Sequence, residues 1–155
     1  MCIRDRAPRA RIIVDELLRW YLFFVVGVTY AYNWFFHLFF GEFAASTIGW
    51  ADSPFQHELA WASLGLALVA LIASPRHTSF RMKLAGVLGI SVFLLGAAGE
   101  HVVSMVVENN FAPNNAGIIF WTDILVPLIG FALLIAWRRV HRGGAVPASA
   151  APLVE

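Results

Sequence analysis

Charge is what this chain lacks most. Only 14% of its 155 residues are Asp, Glu, Lys or Arg, where a soluble domain carries about 25%, so a surface that faces water all round is excluded. Cysteine is nearly missing as well: Cys2 stands alone, which leaves neither a disulfide framework nor a thiolate ligand set. Nor does the chain contain a nucleophile–base motif, a phosphate-binding loop or the Glu-x-x-His pair of di-iron helical bundles. An independent hydrolase is the reading these absences favour least, and they weigh against an enzyme without deciding the matter. Long stretches lack one sign of charge altogether. All eleven Lys and Arg residues fall before position 20, between 76 and 83, or after 137.

What fills the chain instead is hydrocarbon. Hydrophobic residues make up 59% of it and the mean hydropathy is +0.71, concentrated in four runs at 20–40, 54–74, 84–107 and 116–137. Each is close to the roughly 20 residues that a helix needs to cross a bilayer. The fold class expected is therefore all-α: a polytopic membrane protein built as a four-transmembrane-helix bundle. The basic residues flank only two of its three kinds of connection, so both termini and the 74–83 loop are expected in the cytoplasm, with the 41–52 and 108–117 loops outside. Arginine flanks of this kind read as topology signals, and no nucleic-acid partner is expected. The domain division is a basic lead-in at 1–19, a transmembrane domain at 20–142, and a tail at 143–155 with the composition of a disordered segment. The opening MCIRD resembles a translated sequencing adapter from assembled metagenomic DNA, so the natural start is expected to differ.

Local signals refine this picture. In SPFQ (53–56), Ser53 suits a helix N-cap, Pro54 the first helical position and Gln56 the third, which together make a capping box for the second helix. Asn115 suits the cap of the fourth helix, and Phe43 and Trp50 suit an aromatic belt at the interface. Gly86, Gly89, Gly96 and Gly99, with Ala62 and Gly65, are expected where helices approach closely.

The polar residues inside the runs cluster at one level. Glu100 and His101 interrupt the third run, Asp123 the fourth, and Asn33 and His37 the first, while Glu58 lies near the start of the second. With the topology above, all fall in the outer half. A carboxylate at the bilayer centre costs about 2.5–3.5 kcal/mol even on the lenient insertion scale, which favours inward faces. Helical spacing groups Tyr30, Asn33 and His37 on one stripe; Gly96, Glu100 and Ser104 on a second; Asp123, Pro127 and Gly130 on a third; and Glu58, Ala62 and Gly65 on a fourth. Asn33, His37, Glu58, Glu100, His101 and Asp123 are thus the candidates for an intramembrane polar pocket open to the outside.

The stretches IGWADSPFQHE (48–58), NNFAPNNAG (109–117) and TDILVPLIGF (122–131) resemble a family of small bacterial four-helix membrane proteins of unknown function, over most of residues 20–140. The resemblance implies the same fold and a multi-pass place in the bacterial inner membrane. It implies no substrate, cofactor or catalytic residue, and the adapter-like start lies outside it.

The function expected is binding of a small polar ligand, a cation or a proton in the outer pocket, with the lipid bilayer as the surroundings and a second copy or a membrane complex as the partner. The alternatives are a metal or haem redox site drawn from His37, Glu100, His101 and Asp123, and a non-catalytic accessory subunit. No cofactor is assigned. The orientation is testable in a Cys2→Ser background. Single cysteines at positions 46 and 114 should react with an impermeant thiol reagent on intact cells, and one at 78 should not; the reverse pattern would invert the topology.

Overall fold

The computed structural model describes residues 6–142; the MCIRD start and the 143–155 tail lie outside the described residues. All regular structure among them is helical. α1 (Arg6–Trp20) continues without a break through a π-helical segment (Tyr21–Val28) into α2 (Thr29–Phe39). There follow α3 (Gly41–Ile48), α4 (Phe55–Ala73), α5 (Phe80–Val107) and α6 (Ile118–Arg142). Three of these, α4, α5 and α6, are long and apolar enough to cross a membrane, which marks the chain as a membrane protein. The first apolar run is instead shared between the π segment and α2, in a rod that already starts at Arg6.

Two sets of polar contacts define the ends of the bundle. At one, the α1 and α6 ends meet the 74–79 loop: Arg11 donates to His141 Nε2 at 3.0 Å, His141 also lies 3.5 Å from Asp15, and Glu16 pairs with both Arg76 and Arg19. The hydrogen bond from Arg76 and the charges of Arg76 and Arg19 hold the Glu16 carboxyl below its usual range. Lys83 is buried here and donates to the Pro75 carbonyl at 2.9 Å, at the C-terminal end of α4, where a cation complements the helix dipole. At the other, distal end the 41–54 and 108–117 segments are stitched together: Asn110 Nδ2 donates to the Ile48 carbonyl at 2.9 Å and the Asn114 amide to the Thr47 carbonyl at 3.4 Å.

Between the ends, α2 packs along α4, α5 along α6, α1 against α6 and α4 against α5. The buried stripe of α4 is Ala60, Ser63, Ala67, Ala70 and Ala73, small residues that let a neighbouring backbone come close. This corrects the expected stripe of Glu58, Ala62 and Gly65, which faces away from the bundle. In α5 the buried stripe runs through Val87, Ile90, Leu94, Ala98, His101 and Ser104. Gly96 and Gly99 face away, with nothing near the space a Cβ would take, so of the expected glycine contacts Gly86 is the closest. Residues 41–52, expected as a loop, carry the two-turn α3. The capping box at SPFQ does not form either: α4 has no side-chain cap bond, and Gln56 turns to another partner.

One glycine sets the approach of two helices. Tyr21, at the start of the π segment, donates to the Val126 carbonyl of α6 at 2.9 Å. Its ring fits because Gly130 has no side chain; a Cβ there would sit 2.5 Å from the Tyr21 hydroxyl oxygen and 2.8 Å from Val87. Gly130→Ala should therefore cost about 1–3 kcal/mol, as overpacking usually does. Tyr21→Phe, which removes the closest atom, should cost less in the Gly130→Ala background than in the wild type. Strict additivity of the two in thermal unfolding would show that this contact does not limit the packing.

Candidate functional site

The distal half of the bundle holds a buried imidazole whose two nitrogens have different tasks. His101, on the inner stripe of α5, is 3% exposed, and its Nδ1 lies 2.7 Å from Asn115 Oδ1. Asn115 is fully buried, and its orientation is fixed independently: Nδ2 donates to the Asn110 carbonyl at 2.7 Å and to the His101 carbonyl at 3.4 Å. Its oxygen must then face the ring, and an amide oxygen only accepts, so Nδ1 carries a hydrogen. Nε2 faces Asp123 of α6, with Oδ2 at 3.5 Å. Asp123 is itself 5% exposed. The two face each other at 3.5 Å without a hydrogen bond between them; a bare imidazole nitrogen set against a bare carboxylate would repel it, so they are compatible neighbours when one of them carries a proton.

Trp50 covers this pair. Its indole stacks on the His101 ring at a centroid distance of 5.5 Å and 26° between planes, and its Nε1 donates to Ser104 Oγ at 3.2 Å. Ser104 donates in turn to Glu108 at 2.7 Å and accepts from Asn110 at 3.1 Å. The backbone that brings Trp50 inward turns at Gly49, with φ +79°, where a Cβ would also meet the Asn110 side chain at 2.8 Å.

The predicted site residues separate into three groups. Asn33, His37, Glu100, His101 and Asp123 line one cavity of about 290 Å³, together with Tyr30. Within it, His101 and Asp123 form the close pair, while His37 donates from Nδ1 to Gln56 Oε1 at 2.6 Å and Asn33 donates to Ser63 Oγ at 2.9 Å. Glu100 is exposed on the α5 surface. It stands between that cavity and an open groove of about 510 Å³ bordered by Gly49, Trp50, Ser104 and Glu108. Glu58 takes no part: it is exposed in the first turn of α4, where the helix dipole favours negative charge.

Four residues complete the site without having been read as functional. Asn115 is a buried latch, not the cap of α6, which begins at Ile118. Trp50, itself partly exposed, lies against His101. Asn110 and Gln56 each support a histidine or its loop. For Asn110 and Asn115 the signal was the density of amides in NNFAPNNAG, since amides buried in a membrane protein need partners; Trp50 and Gln56 carried none. Among the described residues no three His, Cys, Asp or Glu side chains gather into a metal-ligand set. The Nδ1 atoms of His37 and His101 are both taken up by amide side chains, and His101 Nε2 lies 3.5 Å from Asp123.

Fold and site together define an all-helical membrane protein with a shielded histidine–aspartate pair near one end. The chain belongs to a family of unknown function, DUF6790, whose model matches residues 1–143; the match takes in the N-terminal stretch left outside by the sequence resemblance. No curated protein and no solved structure matches the chain.

Two substitutions separate the roles at the pair. Asp123→Asn keeps shape and can donate from Nδ2 to His101 Nε2, so thermal unfolding in detergent should change little. Asp123→Leu strands Nε2, and Asn115→Ala strands Nδ1–H; each should cost about 1–3 kcal/mol, the penalty for an unsatisfied buried polar group. Equal stability of the Asn and Leu variants would mean that the pair contributes no specific interaction.

Proposed function

We propose that this is a four-helix integral protein of the bacterial inner membrane, with the α1–α2 rod as its fourth span and both termini in the cytoplasm. Its distal pocket binds a small polar or cationic ligand in competition with a proton. The observation that carries the reading is the His101–Asp123 pair, shielded by Trp50 and tautomer-locked by Asn115, in the wall of a cavity. With its shared proton the pair is neutral; without it, the pair holds one negative charge in a nearly dry site. Such a charge needs a counter-ion, because an isolated buried carboxylate is strongly disfavoured. Proton and ligand cation are thus alternatives for one place, and the proton belongs to the pair jointly. Ionisable groups held inside a membrane domain are functional candidates by default, and the arginine distribution supports the orientation.

Infrared difference spectra of the purified protein, recorded between two pH values, test the proton site. A carboxyl or imidazolium band that changes with pH and disappears in Asp123→Asn is the expected result. A wild-type spectrum with no Asp123-dependent band across the range in which the protein stays folded would remove the proton site from the proposal.

A further inference from the structure

The helices around the pair do not close. α2 packs along α4 and α6 along α5, and between α2 and α6 lies a second cavity of about 400 Å³. Val25 and Thr29 wall it on one side, Ile118, Ile119, Thr122 and Val126 on the other. Thr29, Ile118, Ile119 and Thr122 are exposed on the bundle surface. In a bilayer, a gap of this kind between two spanning segments faces hydrocarbon.

Its floor is polar and incompletely bonded. Tyr30, Asn33 and Asp123 line both this cleft and the pocket described above. Among the hydrogen bonds of the described residues, none involves the Tyr30 hydroxyl, the Asn33 carbonyl oxygen or the Asp123 carboxylate. Asp123 has only the 3.5 Å approach of His101 Nε2. The Asp123 side chain is more than nine-tenths buried yet lines both cavities, so a group that enters either of them meets its free lone pairs. The charges facing it indicate which kind. Neither cavity is lined by Lys or Arg, so an anionic headgroup would meet Asp123 and, further out, Glu100 with nothing to balance it. Tyr30 is the aromatic ring that lines the cleft, and Phe93, which meets it edge-on at 5.9 Å, and Trp50 line the pocket beyond. Aromatic faces beside a carboxylate in an apolar recess suit a large, weakly hydrated cation.

We infer that the cleft between α2 and α6 is a lateral port for a lipophilic cation, whose charged centre replaces the shared proton of His101 and Asp123. The inference rests on the proton-binding pair proposed above and names the ligand class and its route. Charge balances on exchange: the neutral pair gives up one proton, becomes a carboxylate beside a neutral imidazole, and takes one positive charge in return. The proton leaves past Glu100 into the open groove and the bulk. The other titratable groups that line the pocket are Tyr30 and His37 from α2 and Glu100 from α5, so the lining carries no Lys or Arg charge to oppose the ligand.

Calorimetric titration of the full chain in detergent with tetraphenylphosphonium tests this, run in two buffers of different ionisation heat and beside uncharged triphenylphosphine oxide. Saturable binding of the cation is expected, with about one proton released per ligand, affinity falling up to about tenfold per pH unit on acidification, and the neutral analogue about tenfold weaker or worse. Asp123→Asn should abolish the cation preference. Thr122→Trp, which fills the cleft and leaves the pair in place, should weaken binding about tenfold without altering the infrared signature of Asp123. Equal affinity for the neutral analogue, binding without proton release, or indifference to Thr122→Trp would each overturn the port. Absence of cation binding in protein that keeps the Asp123 infrared band overturns the port alone. Absence of the band in the wild type overturns the proton site and the port with it.

Discussion

An imidazole can present a single open nitrogen to a carboxylate only when its other nitrogen is held elsewhere. In this protein the holding group is Asn115, and much of the distal architecture follows from keeping that amide in place. Its two donors are spent on the Asn110 and His101 carbonyls. The Asn110 side chain in turn ties the 108–117 segment to the end of α3. The left-handed turn at Gly49 then lays Trp50 over the ring. A chain of neutral hydrogen bonds thereby fixes which ring nitrogen of His101 faces Asp123, and the low dielectric that strengthens each link also makes any broken link expensive.

This arrangement divides the two openings of the pocket by chemistry. The groove beside Trp50, Glu100 and Glu108 is lined by polar and acidic groups, suited to water and protons. The gap between α2 and α6 is lined chiefly by aliphatic side chains and two threonines, suited to hydrocarbon. Asp123 lines the gap and the pocket behind it, and Glu100 lines both that pocket and the groove.

Hydropathy and the arginine distribution made the helical class and the rough limits of α4, α5 and α6 legible, because membrane insertion is a property of long stretches and tolerates local error. The faces were less legible. On α5, Glu100 and His101 are adjacent and point about 100° apart, so one can be inside only if the other turns out; the glycine pattern suggested Glu100, while packing against α6 buries His101. On α4 the close contact runs through Ala60, Ala67, Ala70 and Ala73, on a different face from the expected Ala62 and Gly65. The roles of Trp50 and Asn115 were hidden for a different reason. They depend on α5 meeting two loops far apart in sequence, and no local periodicity encodes such a meeting. α3 and the Gln56–His37 bond share that origin.

The π-helical stretch from Tyr21 to Val28 carries a consequence of another kind. A π turn holds more residues than an α turn, so such a stretch behaves as an α-helix with surplus chain wound into it. It buries Tyr21, Leu22, Val26 and Gly27, and it sets the angular phase at which Tyr30, Asn33 and His37 emerge on α2. The rod can therefore absorb a change of length here that its neighbours cannot. Loss of one residue within this stretch would unwind the surplus and leave the downstream face where it was, whereas the same loss in α4 or α5 would swing every later side chain around the helix. The segment is a spare link in the thread, placed just before the residues whose bearing matters most.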